Sequence, residues 1–221
     1  MPRNVIFPGR SRRINISSYM VKPRKNKFIL GVTGCIGSGK STVAGMFKEK
    51  NCLLIDADCL GHELILSGSS VYRKIIKSFG RGILKPDNSI DREKLAKIVF
   101  AGKTVLTKLN SIVHPELIRQ IKRRIRKTKK RIIILDAALI IEAGLTRMVD
   151  KLIVVTARRQ QRILRSQKSL GLVKKQVVLR MQSQISQKAK SRFADFIIDN
   201  SRQITKTQKQ VSKIRRQLWK S

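Results

Sequence analysis

The sequence predicts an α/β fold in which a five-stranded parallel sheet is covered by helices on both faces and carries one helical insertion. Three observations lead there. Short aliphatic runs alternate with stretches of helical spacing, the pattern of parallel strands joined by crossover helices. The first run empties into a glycine-rich loop, GCIGSGKS at 34–41, directly ahead of a helical pattern. The interval between the second and third runs, residues 60–128, is far longer than one crossover helix needs.

In chain order, FILGVT (28–33) is a buried parallel strand that stops at Gly34. STVAGMFKEK then predicts a helix starting near Lys40, and CLLID (52–56) a second strand. DADCLGHELILSGSSVYRKIIKSF reads as two helical pieces split by the turn SGSS. GRGILKPDNSIDREKLAKIVF opens as a loop and continues as a helix capped by Asp91. Two further helices are expected at TVLTKLNSIV and PELIRQIKRRIRKTKK, with Pro115 in the first helical position of the second. RIIILD (131–136) and KLIVVT (151–156) are the third and fourth strands. A long polar helical region, 158–190, leads to the fifth strand, DFIID (195–199), and a closing helix over 203–219.

Hydrophobic residues make up 41% of the 221, but aromatics only 5%, so the core must be aliphatic. No apolar run approaches the ~20 residues that span a bilayer, and a cytoplasmic protein without membrane contact is expected, with a monomer favoured. Cys35, Cys52 and Cys59 are odd in number and lack C-x-x-C spacing, which predicts reduced thiols. The formal net charge is +37. Residues 1–27 hold eight Lys or Arg and no acid, yet the remainder is still +29, so the basicity belongs to the whole body. Such a field draws anionic substrates and non-specific nucleic acid. The densest run, RQIKRRIRKTKKR (119–131), has little aromatic interleaving, and Tyr72 and Trp219 stand alone, so nucleic acid is expected only through charge. The basic N-terminal extension, 1–27, leaves three readings open: a disordered extension, an organellar transit peptide, or a start at Met20.

GCIGSGKS matches G-x-x-x-x-G-K-[ST] between a strand and a helix, the context that gives the motif physical meaning. Gly34, Gly37 and Gly39 are expected to take positive φ and let backbone N–H groups converge on phosphate, with Ser38 and Thr42 in the same cradle. Lys40 should reach the β- and γ-phosphates of ATP, and the Ser41 hydroxyl should ligate Mg²⁺. Asp136 ends the third strand and is followed by Ala137, so the Asp-Glu pair of many ATPases is missing. It is left either as a Mg²⁺ partner through water or as a turn cap. The second strand ends in IDAD, placing Asp56 and Asp58 at the sheet edge where ligands bind. A helix cap explains one of these carboxylates. A kinase that must orient an acceptor hydroxyl explains the other.

Taken together, GVTGCIGSGKST, IDAD, IDREKL (90–95), HPEL (114–117), ALIIEAGL (138–145), VDKLIVVTA (149–157) and ADFIIDN (194–200) resemble the dephospho-coenzyme A kinases over residues 28–219. The resemblance implies a P-loop kinase fold and ATP-dependent phosphorylation of the ribose 3′-hydroxyl of dephospho-CoA, the last step of coenzyme A biosynthesis. It implies Asp58 as general base or acceptor-orienting carboxylate, and Asp56 in the metal's water shell. Thr33, Asp91, Arg92, His114 and Glu142 would line the acceptor side, although His114 also reads as a structural helix-start histidine. Residues 60–128 would bind the acceptor, and 158–190 would be a lid whose Arg165 closes on ATP. Two departures stand out: Ser169 occupies the second usual lid-arginine position, leaving Lys168 or Arg162 as substitutes, and Ala138 stands where a proline is common. A kinase for another small hydroxyl acceptor and a nucleic-acid-associated NTPase are the competing functions.

Overall fold

Five parallel strands pair in the order β2-β3-β1-β4-β5 in the computed structural model, which describes residues 27–219. All but Lys27 of the basic N-terminal extension lies outside the described residues. The strands are β1 (Phe28–Gly34), β2 (Cys52–Asp56), β3 (Ile132–Asp136), β4 (Lys151–Thr156) and β5 (Phe196–Asp199). Their aliphatic runs are continuous because helices cover both faces, so neither face of a central strand needs polar residues. On one face, α1 (Lys40–Phe47) and α9 (Ile204–Leu218) pack Val43, Phe47, Val211 and Ile214 onto Leu30, Val32, Ile134 and Ile153. Trp219, expected to stand alone, closes this layer with its ring centroid 5.8 Å from that of Phe47.

The opposite face carries α2 (Ala57–Leu64) and the second half of α5 (Lys103–Lys127), through Leu60, Ile118, Ile121 and Ile125. The first half of α5 belongs to a separate small core. There Val105, Leu106 and Leu109 pack against Val71 and Ile75 of α3 (Ser70–Phe79) and Leu95 and Val99 of α4 (Arg92–Phe100). The two helices expected on either side of Pro115 are therefore one helix of 25 residues. An interior proline removes one backbone hydrogen bond and crowds the preceding turn, a cost of ~3 kcal/mol. Burial on both sides of the junction outweighs it: α5 is a beam running from the insertion's core to the sheet.

The 158–190 region resolves into α6 (Arg159–Leu170), α7 (Lys174–Gln182) and α8 (Gln187–Ser191). Gly171, at φ 64°, ends α6, and the Ser186 hydroxyl accepts from Ala189 N–H to start α8. Replacing Pro115 by Ala should restore the missing donor and raise the unfolding free energy by about 1–2 kcal/mol. Urea denaturation measures it, and a loss of stability would mean that the proline shape is required at the junction.

Candidate active site

β1 lies between β3 and β4, so the chain crosses in opposite directions on its two sides and opens a crevice at the carboxyl ends of the strands. The glycine-rich loop fills that crevice. Gly37 and Gly39 take positive φ, 75° and 83°, as the motif predicts. Gly34 does not; it is the last residue of β1, and its missing side chain serves close approach instead. A Cβ there would lie 2.4 Å from Ser38 Oγ and 2.7 Å from the Val155 carbonyl. A Cβ on Gly37 would lie 2.1 Å from the Arg162 carbonyl of α6, and one on Gly39 2.2 Å from Asn200 Nδ2. The loop is thus gripped by β4, by the lid and by the end of β5. No side chain caps the start of α1, so its first N–H groups are left for an anion.

Three carboxylates come to this loop and do different work. Asp56 Oδ1 accepts from Cys59 N–H at 2.8 Å and caps α2. Asp58, in the first turn of α2, places Oδ2 2.6 Å from Lys40 Nζ. Asp136, paired in register with Asp56 and 1% exposed, places Oδ1 3.2 Å from the same ammonium, with no aligned hydrogen-bond donor to that oxygen. Lys40 Nζ also lies 3.3 Å from Ser41 Oγ. Burial pulls the Lys40 pKa down, but Asp58 and Asp136 outweigh it and hold it above the ordinary lysine value. Burial drives Asp136 up, against Lys40 and the Ser41 hydroxyl. Ser41 and Thr42 are exposed at the mouth of the loop, whereas Ser38 is buried beneath it.

The residues expected on the acceptor side split into two groups. Arg92 is exposed at the start of α4, where its charge acts on His62. Asp91 caps α4, with Oδ1 accepting from Glu93 and Lys94 N–H at 3.0 Å each. Thr33 is fully buried and its Oγ1 donates to the Ala138 carbonyl at 3.1 Å, so it supports the site from beneath. Glu142 faces inward too: it pairs with Lys190 at 2.7 Å and accepts from Ile185 N–H. His114 is partly buried within α5, near Glu142, rather than at a helix start.

On the lid, Arg165 Nη2 donates to the Asn200 carbonyl at 2.9 Å, while its buried Nη1, beside Gly39, has no hydrogen-bond partner. That N–H is placed for an anion on the loop. Arg162 is engaged elsewhere, with Nε donating to the Ile36 carbonyl at 3.1 Å, and Lys168 is exposed. The composition and spacing did not single out four residues that the structure brings in. Gln184 Oε1 accepts from Ile36 N–H, and Asn200 Nδ2 donates to the Ser38 carbonyl. Lys190 is fully buried behind the carboxylates. Arg180 of α7 stacks over the Phe100 ring of α4 at 5.4 Å, joining lid to insertion. Only Asn200 carried a signal, the last residue of ADFIIDN.

Gly37→Ala should lower ATP affinity by about 100-fold or more, because it forces an L-residue to positive φ and drives a methyl into α6; calorimetry of ATP binding tests it. A second prediction concerns acid. Burial depresses the pKa of His114, opposed by Glu142, and that of His62, aided by Arg92. A depressed histidine contributes its stability above its ordinary value of about 6.5 and loses it as pH falls below that, because the unfolded chain takes up the proton first. Unfolding free energy should therefore decline below about pH 6.5, and His114→Asn should flatten the decline. An unchanged slope in urea titrations between pH 7.5 and 5 would contradict it.

Comparison with known proteins agrees with this geometry. Residues 28–206 match the family model described as dephospho-CoA kinase. The chain is 38% identical over 195 residues to a dephospho-CoA kinase of Carboxydothermus hydrogenoformans, covering 87% of this chain and 94% of that one. It is 40% identical over 190 residues to the Aquifex aeolicus enzyme of the same description, covering 86% and 96%. The solved dephospho-CoA kinase of Campylobacter jejuni superposes with a TM-score of 0.61 at 26% identity, over 87% of this chain and 97% of that one. With a glycine-rich loop that ends in Lys40 and a carboxylate 2.6 Å from its ammonium, and with these matches over most of its length, the chain belongs to the dephospho-CoA kinase family.

Proposed function

We propose that this protein transfers the γ-phosphoryl group of ATP to the ribose 3′-hydroxyl of dephospho-CoA, giving CoA and ADP. The observation that carries the mechanism is the Lys40–Asp58 contact of 2.6 Å, which puts a loop cation and an acceptor-side carboxylate at one point. In this reading the loop N–H groups and Arg165 Nη1 hold the phosphates, and phosphate oxygens compete with Asp58 and Asp136 for the Lys40 ammonium. Asp58, freed of that ammonium, orients the acceptor hydroxyl and takes its proton as the bond to phosphorus forms. Lys40 and Arg165 offset charge on the transferring group, which in phosphoryl transfer is spread over its equatorial oxygens.

Mg²⁺ fits the same residues. Asp136 Oδ1 is a buried hard oxygen with no aligned donor, and the Ser41 hydroxyl lies in the same contact set. Among the described residues no group of three or more His, Cys, Asp or Glu could hold a metal ion, so this is not an all-protein cage. That suits an ion that keeps waters and shares phosphate oxygens. Ser41 and Asp136 would hold it, and only the second oxygen of Asp56 is left for its water shell. Bound there, Mg²⁺ would neutralise phosphate charge.

The insertion centred on α3, α4 and the first half of α5 is read as the acceptor-binding region, in which Arg92 is an exposed cation whose charge reaches His62 of α2, the helix that carries Asp58. Thr33 and Glu142 then act as supports rather than as contacts. Among the described residues no helix is long and apolar enough to cross a membrane. The three cysteines are free.

The test is ADP release from Mg-ATP with and without dephospho-CoA, for wild type and Asp58→Asn. Turnover should depend on dephospho-CoA and fall by about 10²–10⁴-fold in the variant, the range for loss of a positioned acid–base group. If dephospho-CoA has no effect while polynucleotide stimulates ADP release, the kinase reading fails.

A further inference from the structure

Ala138 is a junction of hydrogen bonds. Its N–H donates to Asp58 Oδ1 at 3.4 Å, a long bond, and its carbonyl accepts from both Thr33 Oγ1, at 3.1 Å, and Lys190 Nζ, at 2.6 Å. The preceding residue is docked as well, with Ala137 N–H donating to the Val32 carbonyl. The Ala138 N–H belongs to the peptide between Ala137 and Ala138, and the peptide planes on either side of that one are held by these bonds, which limits how far the N–H can turn. A proline at this position has no N–H and could not make the Asp58 contact.

Lys190 is the costly member of this set. Its ammonium is 0% exposed, and every hydrogen bond and ion pair it makes goes to the 138–142 segment: the Ala138 carbonyl and the Glu142 carboxylate. A buried ammonium is expensive to desolvate, and a well-packed apolar side chain would join α8 to this segment at less cost. The same Glu142 accepts from Ile185 N–H, in the turn that ends the lid. The network thus runs from the trailing edge of the lid, through Lys190 and Ala138, to the acceptor-side carboxylate.

We propose that Lys190 is a positioning residue for phosphoryl transfer: it fixes Ala138 so that the Ala138 N–H tethers Asp58, and it ties that tether to the end of the lid. The proposal rests on the reading of Asp58 as the acceptor-orienting carboxylate. The tether leaves Oδ2 toward Lys40 and the cleft while Oδ1 is held, which limits rotation of the carboxylate. Loss of Lys190 leaves the Ala138 carbonyl held by Thr33 Oγ1 alone and widens the range of Asp58 orientations, with the phosphate loop untouched.

The experiment compares Lys190→Met and Ala138→Pro in wild-type and Asp58→Asn backgrounds, with single-turnover assays for the slow variants. Either change should lower kcat about tenfold, with KM for ATP and dephospho-CoA altered less than threefold, because orientation and not binding is lost. In the Asp58→Asn background neither should cost more than about twofold, since the group they position is gone. A wild-type kcat in both variants overturns the proposal, as does a loss that persists undiminished without Asp58. Full turnover in Asp58→Asn alone overturns instead the reading on which it rests. Should Lys190→Met fail to fold, Thr33→Val removes the other donor to the same carbonyl and should show the same kcat loss and the same dependence on Asp58.

Discussion

A single ammonium organises this site. Lys40 Nζ stands between Asp58 and Asp136, which reach it from different elements, and among the described residues neither carboxylate has another cation so near. Without it, a buried Asp136 and a nearby Asp58 would repel one another, and burial would push Asp136 further toward its neutral form. The sheet order makes the meeting possible. β3 is paired with both β1 and β2, so the residue at its end faces the loop that leaves β1 and the helix that leaves β2. In the proposed mechanism the charge that holds the two acids in place is also the charge that binds phosphate, so nucleotide entry and release of Asp58 would be one electrostatic event.

The loop around that ammonium is held from outside as much as by its own turns. At Gly34, Gly37 and Gly39 a side chain would meet β4, α6 and Asn200 in turn. Arg162 and Gln184 bind the carbonyl and N–H of Ile36 from opposite ends of the lid region. α6 is therefore part of the loop's wall and is not free to swing. Between these two anchors lies α7, bounded by Gly171 in the left-handed region and by the Ser183–Ser186 turn, with Arg180 stacked on the insertion at Phe100.

The strands and the loop were legible in the sequence because their signals are local. A parallel strand buried on both faces must be a continuous aliphatic run, and the loop needs glycine at closely spaced positions, 34, 37 and 39. What was not legible depended on distant packing. Pro115 marks a helix boundary by local rules, yet two cores separated in sequence hold α5 straight through it. IDAD announced two carboxylates, but only the fold shows that Asp56 is spent on the α2 cap and Asp58 is the one facing Lys40. Glu142 is expected on the acceptor side only from the resemblance carried by ALIIEAGL. Its partner Lys190 lies 48 residues further along, in a stretch that composition reads as one more basic surface, and nothing local reveals that its side chain is buried.

The net charge of +37 has a related explanation in how few acids remain and where they stand. Asp58, Asp136 and Glu142 serve the site and its support. Asp56 and Asp91 cap helices, and Asp87, Asp150, Asp195 and Asp199 accept from backbone N–H groups. Glu49, Glu63 and Glu116 pair with arginines on helices. Twelve of the thirteen carboxylates thus stand where a backbone donor or a cation meets them, Glu93 in the first turn of α4 being the other, while the solvated faces of α5 and α9 carry lysine and arginine almost without relief. Surface cations of this kind are individually worth little to stability and collectively repel one another. Their sum is a long-range positive field around a cleft whose two substrates are both polyphosphates, and a field of that sign raises the encounter rate of each without any added contact.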